Sequence, residues 1–433
     1  VISLRNIKNI FSIPELTKKI GITLAIIVVY RIGGYIPVVG VNISRLTEYM
    51  SQATAASGIL RYLDMFSGGN LTKATLFALG IQPYIMASIM TQFLTMSVPS
   101  LEQLSKEGEY GRKIINQYTR YLAVGLSIVY SAGYVTFLQS AGLVLSPGLG
   151  FNLLFVLSLT AGALFVMWLG EQISASGLGN GSSMIIFASI ASSFPTYVIK
   201  TVYAVSVGNL NILLAILILL IFIGLTACVV FLEKGSRKIP VQYSRRIIGQ
   251  RVYGGQSTYI PMKLNPASIM PVILATSLLQ MPMLLARFLS DRFEFFKFLS
   301  SLLDFTSLPY NLLQFGLIVF FTFAYAALTF NPVELADQMK KNGGFVPGIR
   351  PGKKTADFFD YVLMRIGLVG SLYLGVLAVF PNVLNRFIAM PFYFSGTQLL
   401  IVVGVALEFA SQVESYLIEH KYEGFLTSGR LKQ

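Results

Sequence analysis

Apolar residues fall along this chain in blocks of twenty or so, separated by short polar connections. A helical block of that length crosses a hydrocarbon layer of about 30 Å at about 1.5 Å per residue. The pattern predicts ten transmembrane helices, over residues 20–38, 71–98, 121–141, 151–169, 182–203, 211–231, 267–289, 312–330, 361–380 and 392–413. A soluble core would show shorter blocks, each with one polar face. Ahead of the first block, Ile7, Ile10 and Phe11 stand at helical spacing beside Arg5 and Lys8, which reads as an amphipathic helix lying on the membrane surface.

One stretch breaks the pattern. Residues 58–69, GILRYLDMFSGG, are apolar on one side and far too short to span. Two readings stand: an external surface helix, or a re-entrant element held in a protein cavity, where non-spanning backbone is tolerated at membrane depth. Arg61 and Asp64 have the spacing of a pair on a solvated helix face. Arg31 falls in the external half of the first span, from which its side chain can reach outward.

Composition narrows the chemistry. Of 433 residues 54% are apolar and 12% charged, against about 25% charged in soluble domains. The lone Cys228 excludes an intrachain disulfide, and the lone His420 leaves histidine-based metal or triad chemistry almost nothing to work with. No cofactor loop or nucleophile–base pair is visible, so an enzyme is the weakest class and no cofactor is expected. Glu171 and Glu408 lie near predicted cytoplasmic span ends and read as interfacial or paired groups.

The net charge of +14 is organised by topology. With the N-terminus in the cytoplasm, 23 of the 33 Lys and Arg lie on the cytoplasmic side and 8 on the external side, counting those at span ends such as Lys73, Lys200 and Arg287, with Arg31 and Arg365 deeper within spans. The positive-inside rule therefore puts both termini in the cytoplasm, and anionic lipid is the first partner of the basic loops. Five spans on each side of about residue 205 give the halves opposite orientations, the arithmetic of an inverted repeat with a site between halves. The organisation expected is a cytoplasmic segment 1–19, an N-terminal half 20–205, a C-terminal half 206–413 with cytoplasmic loops 233–265 and 332–360, and a cytoplasmic tail 414–433.

A secondary transporter of a small solute fits inverted halves. Coupled transport needs ionisable groups at the midplane, however, and the span centres are nearly free of Asp, Glu, Lys and His. That favours a passive pore for a polymer. An insertase or receptor without a pore is a further rival.

Six strings then carry a resemblance: RIGGYIPVVGV at 31–41, FALGIQPYIMASIMTQFL at 77–94, WLGEQISASGLGNGSS at 168–183, RKIPVQYSRR at 237–246, YIPMKLNPASIMPVI at 259–273 and GGFVPGIRPGKKT at 343–355. Together, in this order and on this topology, they resemble the SecY family. The resemblance implies an all-α integral membrane protein of ten helices in two inverted halves, a clamshell channel in the bacterial cytoplasmic membrane. It implies passage of unfolded secretory proteins across the membrane and lateral release of membrane helices. The implied partners are SecE, SecG, the SecA ATPase, the ribosome, and signal sequences and nascent chains; ribosomal RNA is the one nucleic acid in view.

Site residues follow from the same resemblance. A narrow ring of aliphatic side chains excludes water when empty and yields when filled. The ring maps to Ile81, Ile85, Ile186, Ile273 and Ile401. A sixth position maps to Ser182, a departure from the family's aliphatic residue that leaves the fifth-span register open by a turn. The short stretch becomes a plug, with Gly58, Ile59, Leu60, Leu63, Met65 and Phe66, and with Gly68 and Gly69 as a hinge. Met86 and Met281 map to a lateral gate between the second and seventh spans. Methionine suits a seam that parts and repacks, and Pro282 weakens the helix beside it. Arg245, Arg246, Arg251, Arg350, Lys353 and Lys354 map to the surface that docks SecA or the ribosome, with Arg350 foremost because guanidinium binds carboxylate or phosphate in bidentate fashion.

Overall fold

In hydrocarbon every backbone N–H and C=O needs a partner, and the apolar blocks meet that demand as helices. The computed structural model describes residues 13–51, 64, 66–243, 246–248, 251–253, 257–265, 268–289, 294–304, 307–387 and 395–430. The expected surface helix at residues 5–11 lies outside them.

The first half holds α1 (Pro14–Gly33), α2 (Ile43–Ser51), α3 (Gln82–Ser97), α4 (Pro99–Lys106), α5 (Glu109–Ser140), α6 (Leu149–Ser176), α7 (Gly181–Ala191) and α8 (Phe194–Ser206). The second holds α9 (Ile212–Lys234), α10 (Met270–Leu289), α11 (Glu294–Leu302), α12 (Leu308–Thr329), α13 (Pro332–Lys341), α14 (Lys353–Phe387) and α15 (Gly396–Arg430). Start signals are local: Asn180, Asn211, Ser307 and Asn331 each accept a first-turn N–H at the heads of α7, α9, α12 and α13. Among the described residues, 7 helices are long and apolar enough to cross a membrane, with α7 and α8, and likewise α12 and α13, counted together. α1, α3 and α10 occupy the other three expected positions.

Helix boundaries depart from expectation most in the second span. Residues 71–81 are turns, and helix begins only at Gln82. Ala74 and Gly80 have φ of 45° and 55°, which helix cannot include, and Pro83 in the first turn of α3 marks the true start. This non-helical backbone is satisfied by protein: Leu76 N–H donates to Ile36 O and Val38 N–H to Ala74 O, both at 2.9 Å, and the Tyr134 hydroxyl donates to Leu71 O at 2.6 Å. Irregular backbone inside a membrane survives only under such cover. α5 and α14 start well before residues 121 and 361, and α1 ends before residue 38.

The two basic loops are not loops alone. β1 (Ser236–Tyr243) pairs antiparallel with β4 (Ser257–Lys263) in register Ile239↔Ile260, and on its other side with β5 (Gly344–Phe345). β2 (Arg246–Ile248) and β3 (Arg251–Tyr253) form a separate hairpin. Ile239, Val241 and Met262 bury themselves with Met339, Val346, Phe359 and Val362, so both loops share one small core against α14. The alternation of buried Ile239 and Val241 with exposed neighbours is the period-two signal of a strand. Between the halves, α3 packs on α10 along one edge and α7 on α15 along the other.

Candidate functional site

The largest buried core crosses the boundary between halves, and a narrow space lies inside it. Ile81 caps α3 and Ile85 follows one turn later, its N–H bonded to Ile81 O at 3.1 Å. That spacing puts both side chains on one face. Ile186 comes from the second turn of α7, Ile273 from the first of α10 and Ile401 from the second of α15. The five isoleucines and Phe66 line a single cavity of about 10 Å³, together with Gln82, Thr276 and Ser277. That is room for about one water. All five isoleucines are buried, Ile401 fully.

Ser182 does not join them. It sits one turn before Ile186, half-buried, with its hydroxyl bonded to Asn180 Oδ1 at 2.7 Å as part of the α7 cap. Gln82, Thr276 and Ser277 were not anticipated. Thr276 and Ser277 stand three and four residues beyond Ile273, the spacing that shares a helix face, so the signal was present.

Of the plug residues, Phe66, Gly68 and Gly69 are described; Gly58, Ile59, Leu60, Leu63 and Met65 lie outside the described residues, as does Arg61. Asp64 turns to the loop that follows it. Its Oδ1 accepts from Leu71 N–H at 2.8 Å, Thr72 N–H at 2.9 Å and the Ser67 hydroxyl at 3.2 Å, and its Oδ2 accepts from the Thr72 hydroxyl at 2.9 Å. Arg31, expected to reach outward, donates to Gly68 O at 3.4 Å. Tyr30 completes the anchorage, sharing a 2.7 Å hydrogen bond with Ser189 and donating to Ser67 O at 3.3 Å.

Met86 is buried in the same core and does not line the cavity. Met281 lies in α10, its side chain outside the description, and α10 continues through Pro282. Across the α3 edge, Phe93 meets Phe321 of α12 with ring centroids 5.7 Å apart. Arg350, Lys353 and Lys354 are exposed beside the shared sheet, and the turn that carries them is pinned where the Thr355 hydroxyl donates to Arg350 O at 2.9 Å. Arg246 and Arg251 fall in the β2–β3 hairpin, without described side chains, and Arg245 lies outside the described residues. Glu171 is paired, receiving two 2.9 Å bonds from the Arg120 guanidinium.

Comparison with known proteins bears on this geometry. The SecY family profile matches residues 75–410. The "Protein translocase subunit SecY" of Streptomyces coelicolor is 46% identical over 431 residues, covering 96% of this chain and 98% of that one. Among solved structures, one described as "The plug domain of the SecY protein stablizes the closed state of the translocation channel and maintains a membrane seal" superposes with a TM-score of 0.65 at 19% identity, covering 92% of each chain. "Sec61 in the Canine ribosome-channel complex from the endoplasmic reticulum" gives 0.62 at 18%, over 94% of this chain and 96% of that one. The relatives are translocase channel subunits, and the solute-transporter alternative finds no support among them. On a profile match across most of its length and near half identity to a full-length translocase subunit, the chain belongs to the SecY family.

Proposed function

We propose that the cavity between the halves is the closed constriction of a polypeptide pore. The observation that carries this is the meeting of Ile81, Ile85, Ile186, Ile273 and Ile401 with Phe66 around a space of about 10 Å³. The isoleucine side chains offer no hydrogen bonds, so where they close around a space of about one water they favour dewetting and give a translocating chain no specific site to stick to, beside the polar Gln82, Thr276 and Ser277 that share the lining. Phe66 is the plug residue that meets this constriction.

The channel sits in the bacterial cytoplasmic membrane with both termini inside, its halves at 20–205 and 206–413. Energy comes from outside this chain, through SecA or a translating ribosome, and the chain itself performs no catalysis. The sheet-bound Arg350–Lys354 turn and the β2–β3 hairpin form the docking surface. SecE and SecG are the small membrane partners. The α3–α10 edge is the side exit for signal sequences and membrane helices.

The experiment is reconstitution. The channel copurified with its small partner subunits, in liposomes with SecA and ATP, is expected to bring an unfolded signal-bearing precursor into protease-protected space. Protection independent of the channel would overturn the reading.

A further inference from the structure

The glycine pair at the end of the plug has the dihedrals of a turn, with Gly68 packed against its neighbours. Gly68 and Gly69 take φ of 70° and 87°. These left-handed residues aim the N–H groups of Leu71 and Thr72 back at the Asp64 carboxylate, which accepts both, along with the Ser67 and Thr72 hydroxyls. Successive N–H groups converging on one anion form a self-contained clasp. The Asp64 carbonyl closes it again, accepting from Gly69 N–H at 3.0 Å.

The other side of the loop is held by the bundle. Tyr30 of α1 reaches Ser67 O, Tyr134 of α5 reaches Leu71 O, and Tyr30 is itself bonded to Ser189 of α7. A Cβ built on Gly68 would lie 2.7 Å from Arg31 Nη1 and 3.0 Å from Ser189 Cα, so the loop at Gly68 is packed closely against α1 and α7, whereas Gly69 faces open space. Phe66 stands two residues from Asp64 and one from Ser67, at the mouth of the clasp, and its ring lines the isoleucine cavity.

We propose that Asp64 is a positioning residue of the closed channel: its carboxylate clasps residues 67–72 and thereby holds Phe66 against the isoleucine constriction, with the turn at Gly68 a packed corner of that clasp. This rests on the constriction reading above. Displacing Phe66 then requires that the Asp64 bonds break, because Phe66 lies between Asp64 and the residues it clasps.

The test measures idle ion efflux from liposomes holding the intact complex. Phe66→Ala is expected to raise efflux several-fold; if it does not, the constriction reading fails and the clasp with it. Asp64→Ala is expected to leak as Phe66→Ala does. Asp64→Asn, whose amide oxygen still accepts the Leu71 and Thr72 N–H groups, is expected to stay near wild type, a rescue that general loss of folding would not give. Combined with Phe66→Ala, Asp64→Ala is expected to add nothing. Wild-type efflux in Asp64→Ala beside a leaky Phe66→Ala, or additive leaks in the double variant, would overturn the clasp alone. Should Asp64→Ala fail to assemble, Thr72→Val removes one bond and is expected to give a smaller rise; an unchanged seal there would count against the proposal.

Discussion

Gly162 of α6 lies directly on the carbonyl oxygen of Leu76, and any Cβ at position 162 would collide with it. The contact explains how a non-helical stretch is tolerated at this depth. Residues 71–81 rest on a glycine face of α6, while Tyr134 and the 36–38 backbone take their hydrogen bonds. Gly162→Val is expected to lower stability by about 1–3 kcal/mol or more, the cost of overpacking where the obstacle is backbone that cannot rotate aside. Thermal unfolding of the purified complex checks this, and an unchanged midpoint would mean that the 71–81 segment packs elsewhere.

Arg350→Glu is expected to cut SecA-driven export about tenfold or more, roughly 1.4 kcal/mol of lost docking. The side chain is exposed, and the bond that pins its turn goes from Thr355 to the backbone oxygen, so folding should change by less than about 0.5 kcal/mol. Normal export with normal SecA binding removes Arg350 from the docking surface.

Orientation is checked by thiol labelling. Thr355 is a poor probe because it is buried at 2% exposure, whereas Lys353 is open. Lys353→Cys in a Cys228→Ser background is expected to resist an impermeant reagent added outside intact cells and to react once the cytoplasmic face is opened. Labelling from outside would invert the proposed topology.

Met86→Cys with Met281→Cys, in the same Cys228→Ser background, is expected to oxidise in the idle channel and to stop export until reduced. The packing of α3 on α10 supports the pairing of these helices. A pair that refuses to oxidise means the gate residues lie elsewhere along that edge. A pair that oxidises while export continues means that this edge is not the exit.

Much of this was legible in the chain, and the failures have physical causes. Block length located the seven helices long and apolar enough to cross a membrane and the helices at the other three expected positions, because hydrocarbon thickness sets one scale for every span. The same averaging hid the broken second span, since apolar turns and apolar helix look alike in hydropathy; Gly80 and Pro83 were the local signals of the break. The strands at Ser236–Tyr243 and Ser257–Lys263 were hidden by their charge, which favoured reading a solvated loop over the alternation of Ile239 and Val241. The five isoleucines were mapped by the family resemblance, with Ile186 and Ile401 outside the strings that carry it, and residues from four separate helices converge on one cavity by tertiary packing that no local pattern encodes. The Asp64 contacts were not legible because its partners stand three, seven and eight residues onward, past a left-handed turn that helical spacing does not anticipate, while the expected spacing partner Arg61 lies outside the described residues.

The most direct measurement is the idle ion conductance of Ile401→Asn. Ile401 is fully buried on the cavity wall, and an amide there offers water a hydrogen-bonding partner in a space sized for about one molecule. A several-fold rise in idle ion leak, together with export of precursors carrying defective signal sequences, is the result predicted for a constriction residue. Wild-type leak and wild-type signal stringency in a folded Ile401→Asn channel would make Ile401 a packing residue and contradict the pore assigned to this cavity.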